Sequence, residues 1–128
     1  MLFRSHGIGT DIVAIARMTR LWDKYSEAFA VRILADDERQ AMQHHADPAR
    51  FLAKRFAAKE AAAKALGTGF RDGLSLRHIV VMNDALGKPV LRLEGRAAEL
   101  AEDFGVRASH VSISDEAAYA VAFVVMTR

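Results

Sequence analysis

Residues 51–69 have the sequence FLAKRFAAKEAAAKALGTG, and this stretch decides the fold more than any other segment. From residue 49 to residue 66 the chain is rich in alanine and contains no glycine or proline, so the segment predicts a helix. Pro48 suits the first turn of that helix, and Gly67 suits its C-terminal stop. We expect an amphipathic helix whose apolar stripe consists of Leu52, Phe56, Ala63 and Leu66.

The residues on either side predict short strands and helices. Residues 7–13 predict a strand that leads into a helix from about residue 14, and two short helices follow at 27–34 and 36–45. Asp36 or Asp37 is the expected cap of the second of these. Beyond the long helix, the pattern predicts a hairpin (78–82 and 89–93), a helix (96–104) and a second hairpin (110–114 and 119–126). The last strand is almost wholly apolar, which predicts burial on both of its faces.

This order of elements predicts an α+β fold with a small antiparallel sheet, one long helix and several short ones. The length of 128 residues and the hydrophobic content of 52% suit a single domain over residues 1–128. Two hairpins in so small a domain leave sheet edges that oligomerisation would cover.

Composition excludes several classes of protein. The chain contains no cysteine, so disulfides, thiolate metal sites and cysteine nucleophiles are excluded. A net charge of +2 is too small to indicate nucleic-acid binding. No apolar run is long enough for a membrane span or a signal peptide, so we expect a soluble protein of the cytoplasm.

Two acidic residues and a lysine are candidates for chemistry. Glu60 and Lys64 lie four apart on the long helix, which is typical of a surface ion pair but also suits a metal carboxylate beside a phosphate-binding lysine. Asp11 lies between Thr10 and Ile12, where it would either cap the following helix or serve as a ligand. Asp11 and Glu60 together offer the oxygen ligands that Mg²⁺ prefers, although spacing alone does not bring them together.

Other candidate residues have equally plausible structural roles. Gly67 to Gly69, with Thr68 between them, would form an ordinary helix stop or allow a ligand to approach the backbone. His110 at a strand entrance would be solvated, bind phosphate or transfer a proton. A basic stripe on the first helix would be a solvated face or would dock an acidic helix; it consists of Arg17, Arg20 and Lys24.

Five segments occur in the order and spacing of one enzyme family: GIGTDIVAIARM, RILADDE, FLAKRFAAKEAAAKALGTG, NDALGKP and HVSISDEAAYAVAFVV. Through them nearly the whole chain resembles the holo-acyl-carrier-protein synthases, which are 4′-phosphopantetheinyl transferases. The resemblance implies a Mg²⁺-dependent enzyme that moves the phosphopantetheine arm of coenzyme A to a serine of an apo acyl carrier protein. It also implies a setting in fatty-acid synthesis, with a polyketide carrier as the open alternative, and a homotrimer with coenzyme A in clefts between subunits.

The same resemblance assigns roles to individual residues. Asp11 and Glu60 match the metal carboxylates, and Lys64 matches the active-site lysine that stabilises phosphate charge. The serine proton would pass to Glu60 or Asp11, directly or through water. The matching coenzyme contacts are Arg55, Lys64, Gly67, Thr68, Gly69, Asn83, Pro89 and His110. Arg17, Arg20 and Lys24 match the surface that meets the acidic carrier protein.

The chain departs from its apparent relatives at two places. Ala35 stands where relatives often have a capping threonine, and we expect Asp36 to replace that cap. Residues 43–47 carry histidine where relatives often carry lysine or arginine, which leaves the 3′-phosphate contacts unassigned. Two other hypotheses remain open: a noncatalytic module that binds an acidic partner through the basic stripe, and a Mg²⁺-dependent nucleotide or pyrophosphate hydrolase.

Overall fold

The computed structural model describes residues 4–128, which contain five strands and five α-helices. In chain order these are β1 (Ser5–Ala14), α1 (Ile15–Tyr25), α2 (Glu27–Ile33), α3 (Asp36–Met42), α4 (Pro48–Leu66), β2 (Ile79–Asn83), β3 (Pro89–Leu93), α5 (Gly95–Asp103), β4 (Ala108–Asp115) and β5 (Tyr119–Thr127). A 3₁₀ turn, Leu76–His78, precedes β2. One antiparallel sheet has the order β1-β5-β4, and β2 and β3 form a separate hairpin. The predicted α+β class and both hairpins are confirmed.

Helix α4 has the predicted ends but not the predicted exposure. Pro48 lies in its first turn, where the Asp47 side chain accepts a hydrogen bond from Arg50 N, and Gly67 ends it with a left-handed φ of 92°. The expected amphipathic character is wrong, because α4 is buried on nearly every side by β1, β5, α1 and β2. Alanine on most faces lets all these elements approach the helix closely. Buried alanines of α4 include Ala53, Ala57, Ala58, Ala61, Ala62, Ala63 and Ala65.

Two glycines set the distance between β1 and α4. A Cβ on Gly7 would lie 2.2 Å from Ala65 O, and a Cβ on Gly9 would lie 1.9 Å from Ala61 O. No side chain fits there, so glycine is required by backbone contact rather than by φ. Alternate residues of a strand share a face, so Asp11 also points toward α4.

Strand β5 is buried on one face only within the chain. Ala120, Ala122 and Val124 lie on the inner face toward α4, whereas Tyr119 is 53% exposed and Phe123 44% exposed on the outer face. The prediction of burial on both faces is therefore wrong for the single chain, because no element within residues 4–128 covers the outer side. The outer face also contains Ile8, Ile12 and Val121, and we call these five apolar residues the outer apolar face.

The start of α3 corrects the expected cap. Asp36 is already the first helical residue, and Ala35 occupies the cap position. The orphan Ala35 N–H is satisfied by the Glu38 carboxylate, with Ala35 N 3.0 Å from Oε1. Neither Asp36 nor Asp37 serves as the cap, because the buried glutamate one turn into the helix performs that role. None of the helices within residues 4–128 is long and apolar enough to cross a membrane.

Candidate functional site

The contact of β1 with α4 brings Asp11 and Lys64 together. Lys64 Nζ lies 2.9 Å from Thr10 O and 3.2 Å from Asp11 Oδ1, and donates hydrogen bonds to both. The alternative of a surface Glu60–Lys64 pair is not what forms, because the lysine turns toward the strand. The alternative of Asp11 as a helix cap is also wrong, since Ala14 occupies the cap position of α1 and the helix has no side-chain cap hydrogen bond. Asp11 faces the long helix instead.

Glu60 lies close enough to Asp11 for their charges to interact. Partial burial raises the pKa of Glu60, and the Asp11 carboxylate raises it further, while Lys64 and Arg17 oppose the shift. Arg17 also stacks over the Phe56 ring, with the guanidinium carbon 5.8 Å from the ring centroid. The result is a pair of repelling carboxylates flanked by two cations, an arrangement that a bound metal ion would neutralise.

These donors suit a hard cation that keeps part of its own shell. Residues 4–128 contain no group of three or more histidine or acidic side chains placed to hold a metal. Two carboxylates are enough for Mg²⁺, which usually takes one or two from the protein and completes its octahedron with water and substrate phosphate. Asp11 and Glu60 therefore fit that ion when a phosphate ligand accompanies it.

An apolar cleft of about 670 Å³ opens beside Glu60. Helices α1, α2 and α4 and the segment that follows α4 form its walls. Glu60 is the acidic group in a wall that is otherwise mostly apolar and aromatic. Its lining includes Leu21, Tyr25, Phe29, Phe56, Phe70 and Leu74. The cleft thus places space for a flexible, largely uncharged ligand segment next to the carboxylate pair.

The basic stripe of α1 lies on the surface as expected. Arg17, Arg20 and Lys24 are all exposed, while Ile15 and Met18 on the other side of the helix are buried. Only Arg17 among the three basic residues affects Glu60 electrostatically. The stripe therefore extends from the carboxylate pair along the exposed side of α1.

The remaining predicted coenzyme contacts are dispersed. Thr68 and the two flanking glycines directly follow α4, one turn beyond Lys64. Asn83 and Pro89 face each other across the β2–β3 hairpin. These two residues belong to a sheet separate from β1. Within residues 4–128, neither of them forms a hydrogen bond or an ion pair with the carboxylate pair.

His110 lies on the opposite side of the main sheet from Asp11. It pairs with Val125 on the outer face, whereas Asp11 pairs with Ala122 on the inner face. A single chain therefore does not direct His110 and Asp11 into the same site.

A buried charged cluster behind α4 was not predicted. We call Glu38, Arg55 and Lys59 the buried charge cluster; their exposed fractions are 0%, 6% and 0%. Burial lowers the pKa of both Lys59 and Arg55, and the Glu38 carboxylate opposes that shift. The i, i+4 spacing of Arg55 and Lys59 was a usable signal, but it becomes informative only once α4 is known to be buried on that side.

Comparison with known families decides the assignment. Residues 7–124 match the family described as the 4′-phosphopantetheinyl transferase superfamily. The chain belongs to this superfamily. It is 55% identical over 120 residues to the holo-[acyl-carrier-protein] synthase of Yersinia pestis strain Pestoides F, which covers 94% of this chain and 95% of the relative.

Solved structures agree with the family assignment. The holo-[acyl-carrier-protein] synthase of Neisseria meningitidis superposes with a TM-score of 0.91 at 44% identity, covering 97% of this chain and 99% of that one. The Helicobacter pylori synthase, solved in complex with coenzyme A, gives a TM-score of 0.82 at 32% identity and covers 93% and 98%. The resemblance predicted from the five segments is confirmed, and so is the fold class.

Proposed function

We propose that this chain transfers the 4′-phosphopantetheine group of coenzyme A to a serine of an apo acyl carrier protein. The products are the holo carrier and adenosine 3′,5′-bisphosphate. The observation that carries the proposal is the meeting of Asp11, Glu60 and Lys64 where β1 packs on α4, in a chain of this family. The coenzyme A bound by the Helicobacter pylori relative supports the choice of donor.

Asp11 and Glu60 would hold the Mg²⁺ ion. The ion would supply charge neutralisation and polarisation of the coenzyme pyrophosphate. The fit rests on the donor set, since the two carboxylates repel each other and burial already disfavours the charge on Glu60. Arg17 and Lys64 offset only part of that negative charge.

The protein residues position the phosphate and receive the proton. Lys64 would direct its ammonium at the phosphoryl group, because its contacts with Thr10 O and Asp11 fix it at the end of the site. The serine oxygen forms a bond to the phosphorus joined to pantetheine, and the bond from that phosphorus to the bisphosphate breaks. The serine proton would pass to Glu60 or Asp11.

Different parts of the site would hold different parts of coenzyme A. Lys64, Thr68 and the glycines on either side of Thr68 would contact the phosphates, since they lie at the end of α4. The apolar cleft beside Glu60 would take the pantetheine arm. Arg55 would attract a phosphate, because the buried charge cluster contains two cations and one carboxylate.

A neighbouring copy of the chain would supply the coenzyme contacts that do not lie beside the carboxylate pair. Asn83, Pro89 and His110 do not face the carboxylate pair of their own chain. The outer apolar face is exposed in the single chain and would be covered in a homotrimer. Such an assembly would place coenzyme A between subunits, with His110 reaching the nucleotide of the adjacent site. We further propose the cytoplasm and fatty-acid synthesis as the setting.

The carrier protein would dock on the basic stripe. Arg17, Arg20 and Lys24 present three positive charges along α1, starting beside Glu60. An acidic helix of the carrier would follow that line and bring its serine to the carboxylate pair.

Product analysis with and without carrier tests the proposal. Purified protein is incubated with coenzyme A and Mg²⁺ alone, with apo carrier, and with a carrier whose acceptor serine is replaced by alanine. We expect adenosine 3′,5′-bisphosphate only with the intact apo carrier. Nucleotide release in all three mixtures would indicate a hydrolase, and release in none of them would leave the binding-module hypothesis.

A further inference from the structure

The buried charge cluster connects four elements through a small number of hydrogen bonds. Glu38 Oε1 accepts from Lys59 Nζ at 2.6 Å, and Glu38 Oε2 accepts from Val81 N at 3.0 Å. Lys59 Nζ also donates to Leu76 O at 3.0 Å and Ile79 O at 2.7 Å. The Glu38–Lys59 pair therefore joins α3 and α4 to the 3₁₀ turn and the first residues of β2.

Arg55 is held differently from Lys59. Its Nε lies 3.6 Å from Glu38 Oε2, and it is buried with no hydrogen-bond partner in residues 4–128. Its guanidinium carbon lies 4.2 Å from the centroid of the Phe51 ring. The Glu38 charge and the Phe51 ring thus orient the guanidinium, although Nε makes no hydrogen bond within residues 4–128.

Buried ion pairs are a weak source of stability, because desolvation offsets most of their attraction. An apolar pair of similar volume would fill the same space between α3 and α4, but it would leave Val81 N, Leu76 O and Ile79 O without these hydrogen bonds. A specific geometric role explains the charged pair better than stability does. Lys59 precedes Glu60 in α4 and lies one turn after Arg55, so the pair fixes both the rotation and the axial position of this part of the helix.

We infer that Glu38 is a positioning residue for the transferase reaction, an inference that rests on the function proposed above. Its carboxylate orients the Arg55 guanidinium and, through Lys59, fixes the turn of α4 that carries Glu60. Glu38 itself contacts neither the carboxylate pair nor the apolar cleft. Its effect is therefore on the placement of groups that do.

Kinetics of Glu38→Gln test the inference against a matched control. Asp37→Asn makes the same change of charge one residue away, on an exposed carboxylate paired with Arg92. We expect Glu38→Gln to raise the KM for coenzyme A about tenfold and to lower kcat less, because Arg55 loses its orienting charge while Asp11 and Lys64 remain. Asp37→Asn is expected to keep wild-type values.

A second variant separates positioning from stability. Glu38→Leu combined with Lys59→Met replaces the charges by apolar side chains of similar size. We expect a lower thermal midpoint, because buried backbone groups lose their partners, and a KM for coenzyme A that is still raised in the folded variant. Wild-type kinetics in this double variant would overturn the inference, since the pair would then only pack. If the double variant does not fold, a wild-type KM for coenzyme A in folded Glu38→Gln would overturn the inference in the same way.

Binding of adenosine 3′,5′-bisphosphate distinguishes failure of this inference from failure of the proposed function. Calorimetric titration of the wild type and Glu38→Gln requires no turnover. We expect affinity about tenfold weaker in the variant. Equal affinities together with active wild-type enzyme would refute only the role of Glu38. Absence of transfer by the wild type would refute the proposed function, and the titration would still measure the effect of Glu38 on Arg55.

Discussion

The geometry of the site depends on which groups accept hydrogen bonds from the Lys64 ammonium. A lysine four residues after a glutamate usually pairs with it, but here the ammonium donates to Asp11 and to the Thr10 carbonyl. Glu60 is thereby left without the direct ion pair that sequence spacing offers. Lys64 and Arg17 still act on Glu60 through their charges, but burial and the Asp11 carboxylate outweigh them, which makes the pair a better ligand set than a stabilising contact.

Glu60→Gln is expected to reduce turnover by about 100-fold or more, because it removes the charge of a proposed Mg²⁺ ligand while keeping the side-chain volume. Burial and Asp11 raise the pKa of Glu60, so its contribution to stability is present at acidic pH and is lost as pH rises through the raised pKa. At neutral pH without metal the variant should therefore unfold no earlier than the wild type.

Steady-state kinetics at limiting Mg²⁺ check the expected loss of turnover. Thermal unfolding in chelator, from about pH 4 to about pH 8, checks stability over the range in which a carboxyl group with a raised pKa loses its proton. Glu102→Gln on the exposed side of α5 is the control. Wild-type turnover in Glu60→Gln would refute its role as a ligand. A variant less stable than the wild type at neutral pH would contradict the sign of the linkage.

Gly9→Ala tests how β1 and α4 determine the site. The added Cβ would lie 1.9 Å from Ala61 O, a backbone atom in a buried helix, so the two elements must separate. We expect a loss of about 3 kcal/mol or more of unfolding free energy, and weaker activity because Asp11 moves away from Glu60. Denaturant unfolding measures the first effect. Ser5→Ala in the same strand is the control, and equal stability of the two variants would contradict the packing described here.

Reversal of charge on α1 tests carrier docking. Arg20→Glu combined with Lys24→Glu should raise the KM for apo carrier about tenfold or more and make it less sensitive to salt, while the KM for coenzyme A stays unchanged. Arg107→Glu, exposed before β4, is the control. A KM for carrier that does not change would exclude the basic stripe as the docking surface.

Hydrophobic periodicity and the residues that end helices predicted the helices and strands well, because α4 has strong signals at both ends and the hairpins have clear turns. What the sequence could not provide is exposure. The amphipathic interpretation of α4 failed because alanine is compatible with either a surface or a core, and only the packing of β1 over Gly7 and Gly9 decides between them. The cap of α3 failed for a related reason, since Glu38 is buried and its carboxylate acts from inside the fold.

The candidate site was predictable only through the resemblance. Spacing placed Glu60 beside Lys64 and left Asp11 some fifty residues away in sequence, and local rules favoured an ordinary ion pair and a helix cap. Long-range packing brings the three together. The roles of His110, Asn83 and Pro89 stay predictions, because a single chain does not direct them into that site.

In the assembly proposed above, the outer apolar face would form the contact between copies of the chain. Phe123→Asp places a charge at its centre and should convert the proposed homotrimer into smaller species, with activity falling because each coenzyme site would lack its neighbour. Light scattering coupled to size exclusion measures the mass. Leu86→Asp is the control, since Leu86 is 95% exposed on the β2–β3 turn, in a sheet separate from the one that carries this face. A trimeric mass for Phe123→Asp, or a monomeric mass for the wild type, would contradict the assembly.

The mass of the carrier protein tests the central claim most directly. Wild-type protein, Glu60→Gln and a protein-free blank are each incubated with coenzyme A, Mg²⁺ and an apo acyl carrier protein, and intact carrier is analysed by mass spectrometry. We predict that the wild type adds one phosphopantetheine group to the carrier, located on its acceptor serine, and that the other two mixtures leave it almost unmodified. An unmodified carrier after incubation with the wild type, when the same apo carrier accepts the group from an authentic synthase, would contradict the assignment.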